Sequence, residues 1–528
     1  MPSADHIPTP PLAAVDSVPA AQGIAAGALR LLALVPALGF LLTLLSPPLN
    51  HDVAAILNFA ERWLGGERLY AELIDANPPL IFVLNLLPAA IGAWTPFGAV
   101  PALLLCLLGL CALAAGTALR LARDRAEAPI EAAALAVVLP LLTLSAGYDF
   151  GQREHLMAVL ALPYLLLAAR RLEGVGSGLG ITLGAAALAA LGFALKPHFL
   201  AIPALVELLV LLGRGPRRAV QDPVPWLMAA LWLAYLAAIP LAFPAYFGQV
   251  LPLIRDLYLE LGGFAWWQVL LTERLGTALM LLLPLGVVAF RPGWGALPRV
   301  LVLAALGATL AAVVQHKGWT YHALPVRMFA GLLAVVLAAR WLERALPRGR
   351  LAGAAPGAAA VAAFAIGLHG FAGAEAPWRE ITWSWSRAGA VSALLKREAY
   401  GERLLVLSPD IFPVYPALNY AHAQSTLRTM NLWLLQGTYA ECPGGGLRYR
   451  PSHAMSRTEF FVYRTVAEDF ARAPPAAILV SRNPGILRCG EEFDFLDYFS
   501  RHPLFAETLR RYRPVAEIEG YRLLRRED

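Results

Sequence analysis

The chain has 528 residues, of which 58% are hydrophobic and 15% charged, and its mean hydropathy is +0.58. That balance excludes an ordinary soluble globule, because apolar stretches of roughly 20 residues, the length a bilayer crossing needs, recur along much of the chain. The net charge of +6 is not a nucleic-acid signature: the arginines cluster in short loops between apolar runs, as in the cytoplasmic loops of membrane proteins.

Residues 1–24 are rich in Ala and Pro and read as a disordered cytoplasmic tail. No small-x-small site follows Leu45 and Arg30 opens the apolar core, so a cleaved signal peptide is not expected. The first span is Gly27–Leu45. Beyond it, Val53, Ile56, Leu57, Ala60, Trp63 and Leu64 recur at helical spacing and predict an amphipathic helix lying along the bilayer surface. Asp52 stands at the head of that helix and has two readings. It is either the helix cap or a carboxylate placed at the membrane lip for chemistry on a lipid-borne substrate.

Asn77–Trp94 is apolar enough for a second span, but Pro78, Pro79, Pro88 and Asn85 suit an interfacial helix, and counting it as a span would invert every later basic loop. The remaining spans are then 98–119, 130–145, 155–169, 179–195, 199–212, 225–243, 275–290, 300–314, 326–339 and 353–369, about eleven in all. The arginine-rich loops at 120–125, 170–171, 214–218, 291–299 and 340–350 face the cytoplasm in this arrangement. The opposite, external face receives 46–97, 147–154, the turn at Lys196-Pro197-His198, 244–274 and 315–325. The spans on either side of Lys196 are short, like a hairpin dipping from one side. Residues 374–528 have soluble composition and read as a small α/β extracytoplasmic domain. Its helices are expected near 387–400, 493–500 and 505–511, and its strands at 403–408, 476–481 and 521–524. No internal repeat and no phosphate-cradling glycine loop is present.

Against 40 Arg the chain holds three Lys, and two of them, Lys196 and Lys317, fall at the outer rim. Each is either a snorkelling anchor or a point charge for a phosphate at headgroup level. His198 accompanies Lys196, while His316, Tyr321 and His322 accompany Lys317. The GYDFGQRE loop brings Asp149, Arg153 and Glu154. These read either as an acid pair orienting a hydroxyl, or as a turn residue beside a surface ion pair. No metal-ligand spacing is visible: His51-Asp52 and Glu154-His155 are chain neighbours, so any divalent metal would need ligands from separate loops. The metal is therefore unassigned, and no cofactor is required. Cys106 and Cys111 read as packing residues within a span. Cys442 and Cys489 are the two cysteines of the external domain, in an oxidising compartment, and are expected to form a disulfide.

Taken together these features resemble the GT-C superfamily of membrane glycosyltransferases, in the branch of protein O-mannosyltransferases, lipid A aminoarabinose transferases and rhizobial galacturonosyltransferases. The resemblance rests on Asp52 soon after the first span, the GGERLYAELIDANPPL run, Asp149 in the next external loop, the Lys196-Pro197 turn and the C-terminal tail from Phe493. It implies transfer of a hexose or pentose from a polyprenyl-phosphate donor to the hydroxyl of an extracytoplasmic acceptor (a glycolipid, glycan or protein), with inversion. Asp52 would be the general base and Lys196 would hold the lipid phosphate. The sequence departs from the aminoarabinose transferases before the double proline. They carry an acidic-basic pair there and this chain has Ala76 and Asn77, so that pair's metal and phosphate contacts are not carried over. The protein is thus expected to be a multi-pass protein of a bacterial inner membrane, with residues 25–373 as the membrane domain. A flippase or transporter of lipid-linked saccharides is the competing class. It would show charges deep within spans, or repeated halves.

Overall fold

The computed structural model describes residues 20–45, 48–123, 128–259, 263–371, 382–439, 443, 447–486 and 493–527. The expected disulfide cysteines, most of the expected N-terminal tail and the domain boundary expected at 373/374 lie outside these residues. The helix that begins at Ala20 overlaps the tail's expected end and continues directly into the first span.

Each of the eleven expected spans coincides with a helix. Among the described residues, eight helices are long and apolar enough to cross a membrane. The other three, Pro129–Leu144, Leu179–Phe193 and Glu273–Ala289, have 16, 15 and 17 residues. The protein is a multi-pass helical membrane protein. Helix Arg153–Glu173 runs through its centre and is buried almost throughout, flanked by Ala99–Ala122, Leu179–Phe193, Ala296–Val314 and Leu324–Ala345. Small residues permit this packing. A Cβ on Gly307 would lie 2.6 Å from the Ile202 Cα, so only glycine lets those two helices touch there.

Loops sort to the two ends of the bundle as the charge pattern predicts. At one end the expected cytoplasmic loops are laced together by ion pairs. Arg171 binds both oxygens of Glu207 at 2.7 and 2.9 Å and reaches Asp222 at 2.7 Å, and Arg340 holds Glu131 at 2.8 and 3.0 Å. The expected external loops gather at the other end.

The expected amphipathic helix forms as His51–Leu64, but it is buried on nearly every side and tied to the C-terminal domain through Asn58, Arg62 and Asn419. Asn77–Trp94 forms helix Leu80–Trp94, whose Phe82 stacks near Phe59. The tail forms a five-stranded sheet of order β2-β1-β3-β5-β4, with β1 Arg403–Leu407, β2 Gln424–Ser425, β3 Ala477–Ser481, β4 Tyr512–Ile518 and β5 Tyr521–Arg526. β1 pairs in parallel with β2 and β3, and β5 is antiparallel to β3 and β4. The two-residue side-chain period divides the sheet between two cores. Leu404, Val406, Ala477 and Leu479 join the core shared with the membrane helices, while Leu405, Leu407, Ile478 and Val480 pack beneath helices Arg457–Arg472 and Phe495–Ser500. Strand-like apolar runs located three of the five strands and missed β2, the largely exposed β4 and the Arg457–Arg472 helix.

Candidate active site

Asp52 does not cap its helix. Asn50 does: its Oδ1 accepts the amides of Asp52 at 3.0 Å and Val53 at 3.4 Å. The Asp52 carboxylate is therefore left for other partners, which come from the GYDFGQRE loop. Gln152 Nε2 donates to Asp52 Oδ2 at 2.9 Å and to Asn50 Oδ1 at 3.0 Å, while its Oε1 accepts from Arg153 Nη2 at 3.1 Å. The Arg153 guanidinium lies 3.5 Å from the same carboxylate oxygen. His51 Nε2 is 3.7 Å from Asp52 Oδ1, although chain neighbours generally diverge, because the Tyr148 hydroxyl holds its Nδ1 at 2.9 Å. Burial opposes ionisation of Asp52 most strongly. His51, Arg153, the Gln152 hydrogen bond and Lys196 together outweigh it and hold the carboxyl below its usual range.

The loop reaches this position through a close approach. Gly151 has φ +84°, and a Cβ there would meet Leu107 Cδ1 at 2.8 Å and Val53 Cγ1 at 3.3 Å. Helix Arg153–Glu173 then starts with two charged residues that are both buried, so the surface ion-pair reading of Arg153 and Glu154 fails. Glu154 Oε1 instead accepts from Lys196 Nζ at 2.7 Å, and His322 Nε2 is 3.8 Å from it. Lys196 also donates to Gln315 Oε1 at 3.2 Å. A buried ammonium needs such partners.

Lys317 is the cation without them. Its Nζ is buried with no hydrogen-bond partner among the described residues and lies 3.0 Å from the Tyr258 ring centroid and 4.7 Å from that of Trp319. Burial, helped by Lys196, pushes its ammonium down to about 7. Both ring nitrogens of buried His322 also lack hydrogen-bond partners among the described residues. Tyr321 lies against His322 with ring centroids 4.6 Å apart, and His198 adjoins Lys196 and Arg153. A cavity of about 220 Å³ opens beside His322, lined by Thr272, Glu273, Arg274 and Trp319.

Two expected members stand apart. His316 is exposed, with φ +53°, and its Nδ1 is tied to the Phe264 carbonyl at 2.9 Å, so it fastens the 263–271 segment rather than facing the site. Asp149 is not hydrogen-bonded to Asp52. Burial pushes its carboxyl up to about 7 against the pull of Arg274. Asp75, next to the double proline, accepts from the Asn77 amide at 2.8 Å and its side chain at 2.7 Å. Asn50, Gln152, Tyr258 and Gln315 were not singled out from the sequence, since uncharged polar residues in membrane-protein loops give no periodic or charge signal. Among the described residues no three His, Cys, Asp or Glu side chains converge as a metal site.

Fold and site together define a polytopic helical membrane protein with a small sheet-containing C-terminal domain. No family model and no curated protein sequence matches the chain. Among solved structures it is similar to ArnT from Cupriavidus metallidurans bound to undecaprenyl phosphate. That likeness has a TM-score of 0.57 at 13% identity, over 95% of this chain and 98% of that one. The apo state of the same ArnT gives a TM-score of 0.49 at 15% identity over the same shares. At such identities the likeness is one of fold.

Proposed function

We propose that the protein is a glycosyltransferase that moves a sugar from a polyprenyl-phosphate donor to a hydroxyl of an extracytoplasmic acceptor with inversion, in a bacterial inner membrane. The observation that carries this reading is an ionised Asp52, freed from capping and aimed by Gln152, beside buried cations at one end of the bundle. Support for the donor class comes from the fold, which is similar to that of an ArnT bound to undecaprenyl phosphate.

In this mechanism Asp52 takes the acceptor proton as the acceptor oxygen bonds to the anomeric carbon from the face opposite the phosphate. The bond from that carbon to the phosphate oxygen breaks, and polyprenyl phosphate leaves with the electron pair. Proton removal by a positioned carboxylate contributes about 10²–10⁴-fold. The leaving phosphate gains charge, which Lys196, Lys317 and Arg153 lie near enough to the site to stabilise. Lys317 and His322, both lacking hydrogen-bond partners among the described residues, are the groups best able to meet a phosphate without breaking an existing pair. No step needs a metal or another cofactor.

The site faces the periplasm in this reading, with the Arg171 end in the cytoplasm, and a periplasm-active reporter fused after Asp528 should be active. The decisive assay incubates the purified protein with a panel of labelled polyprenyl-phosphate sugars. Release of polyprenyl phosphate dependent on an acceptor is expected. Movement of intact donor across a vesicle membrane, with no release, would instead indicate a flippase.

A further inference from the structure

A second space lies on the far side of Asn50 and Tyr148. This groove of about 290 Å³ sits between the end of the first span, Thr43–Leu45, the segment Phe97–Leu104 and the sheet domain at Asn419–His422. Its lining is mainly apolar, with Leu44, Leu49, Val100, Leu104 and Phe150 among the residues. At its edge Leu45 and Phe97 are 61% and 65% exposed, beside the outer ends of two spans, so an apolar rim faces outward at the membrane lip. At its inner end stand Asn50 and Tyr148, the residues that hold Gln152 and His51 beside Asp52.

The charge of the groove narrows what fits. Among the described residues no Lys or Arg lines it, and its acid-base groups are Glu61, His422, Tyr148 and Tyr420. Lys396 approaches the Tyr420 ring to 5.9 Å but is not part of the wall. The Glu61 carboxyl has no ion pair among the described residues, and burial pushes it up to about 7. A phosphate placed here would be partly desolvated beside a carboxyl and without a cation, an unfavourable arrangement. A sugar hydroxyl with an apolar chain meets no such penalty.

We propose that this groove seats the acceptor, and that the acceptor is an uncharged, hydroxyl-bearing amphiphile of the alkyl-glycoside class rather than a phosphorylated glycolipid. The chain would lie against Leu45 and Phe97, and a sugar hydroxyl would reach past Tyr148 to Asp52. The inference rests on Asp52 being the base.

The test uses the full-length protein in nanodiscs and two photoreactive probes carrying a diazirine in the chain, dodecyl maltoside and dodecyl phosphate. The maltoside should label peptides containing 43–49 or 97–104, and the phosphate should label them about tenfold less or lower still. Val100→Trp should cut maltoside labelling at least about tenfold while undecaprenyl phosphate binding stays unchanged, and Glu61→Lys should raise labelling by the phosphate probe. Maltoside labelling confined to other segments, or equal labelling by the phosphate, overturns the proposal without recourse to any variant. Asp52→Asn should leave labelling intact. Lost turnover in that variant therefore reports on the base, and lost labelling in wild type reports on the groove.

Discussion

Replacing Asp52 by Asn separates chemistry from architecture, because the structure shows what the substitution leaves in place. The helix cap is retained, since Asn50 supplies both capping bonds, and the contribution of about 1 kcal/mol expected of a cap is not lost. Gln152 Nε2, 2.9 Å away, can still donate to the amide oxygen. What disappears is the negative charge 3.5 Å from Arg153. With an effective dielectric constant of about 20, that pair has a gross attraction of about 5 kcal/mol. Most of it only offsets the cost of burying the two charges, so the net change in stability should be on the order of 1 kcal/mol. The loss of a proton acceptor is larger in kinetic terms. Turnover should fall about 10²-fold or more, equivalent to about 2.7 kcal/mol in the barrier, with undecaprenyl phosphate affinity unchanged. The assay is release of labelled polyprenyl phosphate, run beside a thermal-unfolding measurement. An Asp52→Asn protein that folds normally and turns over within a few-fold of wild type would refute the assignment of Asp52 as base.

Gln152→Leu keeps the base but removes a hydrogen bond that favours its ionised form. The Asp52 carboxyl should therefore titrate higher, and the acid limb of the kcat–pH profile should move up by about one pH unit; an unmoved limb would show that Gln152 is merely structural. Lys196→Ala strands buried Glu154 without its cation and should cost about 3–5 kcal/mol in stability. Lys196→Met with Glu154→Gln should recover most of that in thermal unfolding yet still bind undecaprenyl phosphate weakly, and normal binding in the double variant would exclude Lys196 from the phosphate site. Because burial holds Lys317 near 7, its charge is present below that pH and lost above it. Undecaprenyl phosphate binding should accordingly weaken as pH rises from 6 to 8 (about a unit either side of neutrality), and Lys317→Arg, which stays charged, should flatten the curve.

Hydropathy and charge are per-residue properties of solvent partition, and they sufficed to place the spans, to sort the loops to two ends of the bundle and to mark Asp52, Glu154, Lys196 and Lys317 as candidates. Short apolar runs likewise located β1, β3 and β5, whose central residues are buried, whereas β4 is largely exposed and its run is interrupted by Arg513, Pro514 and Glu517. The partners within the site were settled only by tertiary structure. Gln152 and Asp52 are 100 residues apart, and Lys196 and Glu154 are 42 apart. Whether such pairs meet depends on how helices pack around the buried Arg153–Glu173 helix, a property of many distant contacts. The same holds for single residues: Asn50, two positions before Asp52, takes over the cap, and a backbone φ of +53° turns His316 out of the site while Lys317 beside it turns in. Backbone conformation in loops carries no periodicity, so adjacent residues of similar chemistry end with different roles.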